Sequence, residues 1–387
     1  VPTTVDARYV VVGAGASGSL LVRALAEAGV PGPVVLVDDG SVPLDDRVWG
    51  SWRPSSLGPD AAVGASWRRL VVASTGSERE LGLRRHCYVS VRGRDLRAAT
   101  DAALDELRGV RLSTTTTDVR EQRGRAVVTT VAGEIAADAV FDSVGLRSTE
   151  PARPRAWMEF EGWEIESRRP AFTPDRLRLM DFRVRQTAGM AFLYVLPWTS
   201  NHALVEFTRF TGSPTGGGVE ALGPVLADHL QGALRVGEYR VLRRESGSVP
   251  LRPRVRRPRT PHVLAIGAGA GLVRASTGYG YELMRRDADV IAAQLRRGTS
   301  PTGLRRSIRH RAMDEVFLEL VRRDPVALCS SLERLFAGNS TDVVLRFLNE
   351  ETTPVEEARL VASLPTGPFV RAAVRAGLRP RLGWGRR

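Results

Sequence analysis

The stretch Tyr9-Val10-Val11-Val12-Gly13-Ala14-Gly15-Ala16-Ser17-Gly18 runs from an apolar segment straight into glycines spaced G-x-G-x-x-G. The apolar segment reads as a buried strand. After the glycines, Leu20, Leu21, Ala24, Leu25 and Ala28 recur at helical spacing, so the turn opens a helix. Gly29, Pro31, Gly32 and Pro33 end that helix, Val34 to Val37 form a second buried strand, and Asp38 closes it. Each part suits a dinucleotide. Gly13 allows the tight turn, Gly15 lets a pyrophosphate approach the backbone, and Gly18 lets the helix pack on its strand, with phosphate at the helix N-terminus. Ala16 belongs to the same cradle, and Asp38 is placed to hydrogen-bond ribose hydroxyls. The segment predicts a nucleotide-binding α/β unit and does not separate FAD from NAD.

A second glycine turn, Ile266-Gly267-Ala268-Gly269-Ala270-Gly271, follows an apolar strand at His262 to Ile266 and leads through Ser276-Thr277-Gly278-Tyr279-Gly280 into a helix over about 279–296. Small residues let backbone amides approach a planar, charged ring system. Seen alone, the segment fits a tight helix–strand contact equally well. Paired with the first turn it suggests one FAD gripped at both ends, with Gly267, Gly271, Thr277 and Gly278 as further contacts.

Between these turns, residues 41–80 read as loop-rich and hold Trp49, Trp52 and Trp67. Residues 94–107 read as a helix, 110–145 as a small set of strands and 157–210 as strand-rich. One hairpin runs from Ala191 to Pro197, turns near Ser200-Asn201 and returns from Ala203 to Phe210. Residues 249–260 read as an extended connection, and the pattern is helical from 303 onward. The expected organisation is a discontinuous cofactor unit of residues 1–150 plus 261–300. A mixed β-sheet substrate unit spans 151–260, after a linker at Pro151 to Pro154. A C-terminal helical region, 301–387, closes the cavity.

Composition removes several function classes. Every one of the 56 basic residues is Arg, so neither a Walker-type phosphate loop nor Schiff-base chemistry can be present. The net charge of +13 is not clustered with stacking aromatics, which argues against nucleic acid as a partner. Cys87 and Cys329 lack both a disulfide framework and metal-ligand spacing, so no metal site is expected. The N-terminus has no signal-peptide pattern, and no apolar run approaches a membrane span. The expectation is a cytoplasmic protein, soluble or peripheral to a membrane. Arg371, Arg375, Arg379, Arg381, Arg386 and Arg387 gather beside Leu378, Leu382 and Trp384, with no acidic residue after Glu357. Such a segment fits an anionic membrane surface and a solvated basic tail equally well.

Several segments together resemble the lycopene cyclase family. They are Ile266 to Tyr279 with its Ser-Thr-Gly-Tyr ending, Phe192-Leu193-Tyr194-Val195-Leu196-Pro197, and Ala203-Leu204-Val205-Glu206-Phe207-Thr208. Phe160-Glu161-Gly162-Trp163-Glu164, Met180-Asp181-Phe182, Glu245 through Gly247 to Pro250, Leu345-Arg346-Phe347-Leu348 and Leu364-Pro365 match in order. The resemblance implies a flavin-monooxygenase-like, FAD-binding Rossmann-like fold and a redox-neutral cyclase acting on a lipophilic isoprenoid. It implies reduced FAD as the working form, with NAD(P)H as the expected reductant, and lycopene converted to a β-ionone ring as the family default. The family's acid falls on Glu206. Two departures stand out. Many members have a second glutamate where Phe207 stands, and related flavin hydroxylases often have an aspartate where Ala268 stands.

The residues give Glu206 a chemistry of their own. It lies between Val205 and Phe207 on an apolar strand and shares its face with Leu204 and Thr208. A carboxyl there loses hydration, stays protonated near neutral pH and can donate to an alkene. The resulting cation needs nearby negative or π density, which reduced flavin, Trp and Tyr rings supply. The other reading of Glu206 is a structural ion pair with Arg209 or another Arg. Asp181 and Glu164 are secondary acids whose expected role is structural. Trp49, Trp52, Trp163 and Trp198 are candidates to line a polyene tunnel, and equally candidates for ordinary core. Rival functions are the same mechanism on another polyprenyl, prenylated or epoxidised substrate, an FAD-dependent monooxygenase or reductase, and a flavoprotein that only binds a polyisoprenoid.

Overall fold

The computed structural model describes residues 4–45, 47–58, 60–146, 154–186, 189–213, 222–253 and 255–377. In chain order, β1 (Thr4–Val12), α1 (Ala16–Glu27) and β2 (Val34–Asp38) form a first βαβ unit. Then come β3 (Val48–Pro54), β4 (Val63–Trp67), β5 (Arg69–Ser74), β6 (Ser77–Gly82), β7 (His86–Arg92) and α2 (Gly93–Glu106). Strands β8 (Val110–Ser113), β9 (Thr116–Gln122), β10 (Arg125–Thr130) and β11 (Gly133–Asp142) follow. Further on are β12 (Ala156–Ser167), β13 (Arg176–Asp181), β14 (Met190–Pro197), β15 (His202–Thr211), α3 (Gly223–Gln231), β16 (Tyr239–Leu251) and β17 (Val263–Ala265). The chain ends in helices α4 (Tyr281–Arg296), α5 (Ile308–Arg323), α6 (Pro325–Gly338), α7 (Thr341–Leu348), α8 (Pro354–Ala362) and α9 (Thr366–Arg375).

The first sheet has the order β8-β2-β1-β11-β10-β9, and β17 pairs with the C-terminal half of β11. Its β8, β2, β1, β11 and β17 neighbours are parallel, which requires crossovers and buries both faces. Val10, Val11, Val34 and Leu36 are accordingly buried. One face packs against α1, α2 and α4 through Leu21, Leu25, Leu96, Leu104 and Ile291.

The second sheet has the order β16-β12-β15-β14-β13-β5-β6. Side chains alternate across it, and the two faces have different fates. Ile165, Leu193, Val195, Val205 and Phe207 point outward under α3, where Leu222, Leu226 and Leu230 cover them. Ile165, Leu193 and Val205 are fully buried, and each contributes roughly 1.5–3 kcal/mol. The inner face joins Trp52, Tyr88 and the C-terminal helices, with Leu318, Phe336 and Leu345 closing the far side. A small third sheet has the order β3-β7-β4, its strands falling between β2 and β8 in the chain.

Residues 41–80, expected to be loop-rich, instead hold β3 to β6. These strands are short and broken by turns, so they lack a long apolar alternation. The hairpin β5–β6 pairs Ser74 with Ser77 across a tight turn at Thr75-Gly76, where Gly76 takes φ +82°. This hairpin also corrects the boundaries of the units. β5 pairs in parallel with β13, so residues 69–82 extend the second sheet although they lie within 1–150. Pro151 of the expected linker lies outside the described residues, as do Leu378 to Arg387 of the basic C-terminal segment. No helix of the described residues is long and apolar enough to cross a membrane.

Candidate functional site

Both glycine turns open onto one cavity of about 470 Å³, which lies between the first sheet and the inner face of the second. Gly15, Ala16 and Asp38 line one end; Thr277, Gly278 and Tyr279 line another stretch of wall; Glu206 and Glu245 project from the second sheet. The first turn has the features that a dinucleotide needs. Gly13 takes φ +92°, and its N–H donates to Val37 O at 2.7 Å. Gly15 is the N-cap of α1, with no side-chain cap and no acidic residue in the helix's first turn. The uncapped N–H groups and the positive end of the helix dipole suit a phosphate. A Cβ added to Gly15 would meet nothing within 4 Å, so this backbone is open to close approach. A Cβ on Gly18 would overlap the Gly13 carbonyl oxygen, as expected where helix and strand pack tightly. Asp38 accepts from Ala14 N at 2.7 Å and Gly40 N at 2.8 Å, which holds the carboxylate at the cavity wall. Its remaining acceptor positions suit ribose hydroxyls. These residues fit FAD.

The second turn divides its work. Thr277 and Gly278 line the cavity; Gly278 takes φ +71° and lies against Met158 of β12. Gly267 and Gly271, expected as cofactor contacts, do not line it. Gly267 packs against Ser17 in the first turn of α1, and Gly271 packs against Val255. Their positive φ values of 67° and 75° shape the turn, and proximity in sequence does not bring them to the cavity.

Glu206 lies on β15 with its side chain on the inner face. Register makes it one of a row across four strands. Tyr194 of β14 pairs with Glu206, Glu206 pairs with Gly162 of β12, and Gly162 pairs with Glu245 of β16. Gly162 leaves a gap between the two carboxyl groups; a Cβ there would sit 3.2 Å from Glu245 Cγ and from Leu204 Cδ1. Around them stand Phe160, Phe192, Leu196, Leu204 and Val249. Glu206 is half-buried and lines this cavity. Burial, and next the charge of Glu245, push its pKa up to about 8, against the opposing Thr208 hydroxyl and Arg243. Burial raises Glu245 as well, opposed by its ion pair with Arg243. The two differ in support. Glu245 Oε2 accepts from Arg243 Nη1 at 3.1 Å and from Val48 N at 3.2 Å, whereas Glu206 Oε1 accepts from Thr208 Oγ1 at 2.8 Å. A proton shared by the pair therefore rests on Glu206, because the guanidinium favours the ionised form of Glu245.

Behind Glu206 lies a tyrosine cluster. The Tyr88 hydroxyl bonds to that of Tyr194 and, at 3.1 Å, to that of Tyr279. Burial is the largest cause that holds the Tyr88 and Tyr279 hydroxyls protonated, and the nearby Glu206 charge adds to it. The rings of Tyr194 and Tyr279 line the cavity and bring it π density. Gly50 makes the cluster possible, since a Cβ there would overlap the Tyr88 and Tyr194 hydroxyls. None of these tyrosines stood out as site residues in the sequence, although the hairpin register already set Tyr194 opposite Glu206.

Of the four candidate tryptophans only Trp49 lines the cavity. Trp52 is core: its Nε1 donates to Leu345 O at 2.9 Å and its ring lies 4.8 Å from that of Tyr279. Trp163 pairs with Val205, one residue out of phase with Glu206, so it faces outward under the Arg244 guanidinium. Trp198 packs on His202 at 4.8 Å and beneath Arg92 at 4.2 Å. The same alternation explains Phe207, which packs under α3 and faces away from the cavity. Glu164 and Asp181 have structural roles. Glu164 is held by Arg92, His202 and Arg243, and Asp181 by Arg183 and Arg178. Both carboxyls lie below their ordinary range because these partners outweigh burial. Arg209, the ion-pair partner expected in the other reading of Glu206, donates to Glu159 Oε2 at 2.6 Å. Among the described residues no group of three or more His, Cys, Asp or Glu side chains could hold a metal ion.

Solved flavoproteins share this architecture at low identity. A geranylgeranyl bacteriochlorophyll reductase-like protein from Thermoplasma acidophilum superposes with a TM-score of 0.60 at 15% identity, covering 97% of this chain and 96% of its own. A flavoprotein/dehydrogenase from Cytophaga hutchinsonii gives 0.62 at 13% identity, covering 96% and 99%. A halogenase in complex with phloroglucinol and FAD gives 0.57 at 12%, covering 97% and 93%. The fold is thus α/β, of the FAD-binding flavoprotein type, with mixed sheets and C-terminal helices. In sequence, the chain is 26% identical over 390 residues to a lycopene beta-cyclase from Paracoccus sp. (strain N81106 / MBIC 01143), covering 92% of this chain and 94% of that protein. The pattern of the family described as lycopene cyclase protein matches residues 9–374, and this chain therefore belongs to the lycopene cyclase family.

Proposed function

We propose that this protein is a flavin-dependent, redox-neutral isoprenoid cyclase in which Glu206 protonates the end of a polyene and so starts ring closure. Lycopene is the default substrate and a β-ionone ring the default product. One observation carries most of this reading: an acid held protonated stands in an aromatic and aliphatic cavity that also opens onto the dinucleotide cradle. Thr208 occupies Oε1 of Glu206, which leaves Oε2 to carry the proton towards the alkene. Phe160, Phe192, Leu196 and Leu204 exclude water that would otherwise level the acid or trap a cation. The rings of Trp49, Tyr194 and Tyr279 are placed to stabilise positive charge. Gly15, Ala16, Asp38, Thr277 and Gly278 would hold FAD, which in reduced form, with NAD(P)H as reductant, supplies electron density towards a developing cation. The basic segment from Arg371 onward would rest on an anionic membrane surface that carries the substrate. Deleting residues 371–387 should lower co-sedimentation with anionic liposomes, and unchanged binding removes that element of the proposal.

The decisive experiment is product mass after incubation of lycopene with the protein and reduced FAD. An unchanged mass with altered retention supports cyclisation. An added oxygen or two added hydrogens would overturn it in favour of a monooxygenase or a reductase. The pH dependence is a second expectation. The acid must be protonated to act, so turnover should fall as pH rises through about 8. Turnover that instead rises through that range would show that the ionised form is the working one.

A further inference from the structure

A cyclisation that starts with a proton must end by losing one, from a carbon next to the final cation. Several carbons flank such a cation, so the position of the base decides which ring alkene forms. The geometry points to Glu245 as that base, a role that rests on the cyclase reading above. Glu245 is 7% exposed and lines the cavity. Its Oε2 is taken by Arg243 and Val48, but its Oε1 has no hydrogen-bond partner among the described residues. Leaving a buried carboxylate oxygen unpaired costs stability, and a purely structural ion pair would have no need of it. That oxygen is directed at the gap above Gly162: a Cβ there would lie 3.4 Å from it. On the other side of the gap stands Glu206. Arg243 is itself anchored on Glu164 at 3.1 Å, and Glu164 is held by Arg92 and His202, so the carboxylate is fixed from behind.

The steps balance. The O–H bond of Glu206 breaks, and the terminal alkene's π pair forms the new C–H bond, leaving a tertiary cation. A second alkene's π pair closes the ring and moves the cation to a ring carbon. Glu245 Oε1 removes a proton from an adjacent carbon, and that C–H pair becomes the ring double bond. The proton then crosses the Gly162 gap from Glu245 to Glu206 and restores both groups. No oxidant or reductant is consumed.

The test uses the holoprotein with chemically reduced FAD and lycopene in detergent micelles, with ring isomers separated by chromatography. Glu245→Gln should cut cyclised product ~10²–10⁴-fold and redistribute what remains among ring-alkene isomers or a water-trapped alcohol. Glu245→Asp should recover part of the rate with an isomer ratio of its own. A lower rate at the wild-type ratio would reduce Glu245 to a positioning residue and overturn the proposal, as would no change at all. If Glu245→Gln loses its flavin, Glu245→Asp decides: a wild-type ratio overturns the proposal and an altered one supports it. Failure of the wild type to cyclise lycopene would remove the underlying reading and the base with it. Wild-type cyclisation with an unmoved ratio in the variants would remove the base alone.

Discussion

Replacing Glu206 by Gln is expected to lower cyclisation ~10²–10⁴-fold, the usual contribution of a positioned general acid, while the flavin is retained. The substitution is nearly isosteric, and the amide oxygen can still accept from Thr208, so Phe160, Phe192 and Leu204 keep their packing around it. What disappears is the transferable proton. A variant that kept full turnover would remove Glu206 as the acid and favour the reading in which the protein only binds a polyisoprenoid. Stability supplies an independent readout. A carboxyl whose folded pKa is raised to about 8 favours folding below its unfolded pKa, and that contribution is lost as pH rises through about 8. Gln has no such titration. The variant should therefore melt increasingly above the wild type as pH rises from the ordinary carboxylate range to about 8, and a thermal unfolding series against pH would show it.

Gly18→Val should give a protein purified without flavin. The Cβ would overlap the Gly13 carbonyl oxygen and would also lie 3.1 Å from Val11 Cγ1. That backbone oxygen cannot swing aside as a side chain would. The turn is fixed by the Gly13 N–H bond to Val37 O, and Ser143 Oγ donates to Val12 O and, at 3.3 Å, to Gly13 O. The start of α1 must move off β1, at a cost of roughly 1–3 kcal/mol for overpacking, and the uncapped N–H groups leave their place at the cavity. Flavin absorbance relative to protein absorbance measures the loss, and retention of a full complement would refute the cradle assignment. Gly15→Ala provides the contrast. Nothing lies within 4 Å of its added Cβ, so thermal stability without flavin should be unchanged while flavin affinity falls.

The contrast between Gly18 and Gly15 also marks what sequence alone determines here. The strand, glycine turn, helix, strand and acid from Tyr9 to Asp38 are legible because each step depends on neighbours a few residues away, through periodicity and permitted backbone angles. The same holds for the β14–β15 hairpin and for the face that Glu206 shares with Leu204 and Thr208, since alternation along a strand is local. Other features depended on which strands pair, and in what register, far along the chain. Register across β15, β12 and β16 sets Glu245 beside Glu206, with Gly162 as the gap between them. Pairing of β5 with β13 moves residues 69–82 into the second sheet. Packing between layers buries Trp52 in the core, sends Trp163 outward and leaves Trp49 at the cavity, although composition treats the three alike. It also gathers Tyr88, Tyr194 and Tyr279 from separate segments. Local spacing chooses a side chain's direction; only the tertiary fold decides what it meets there, and the proton chemistry of Glu206 depends on both.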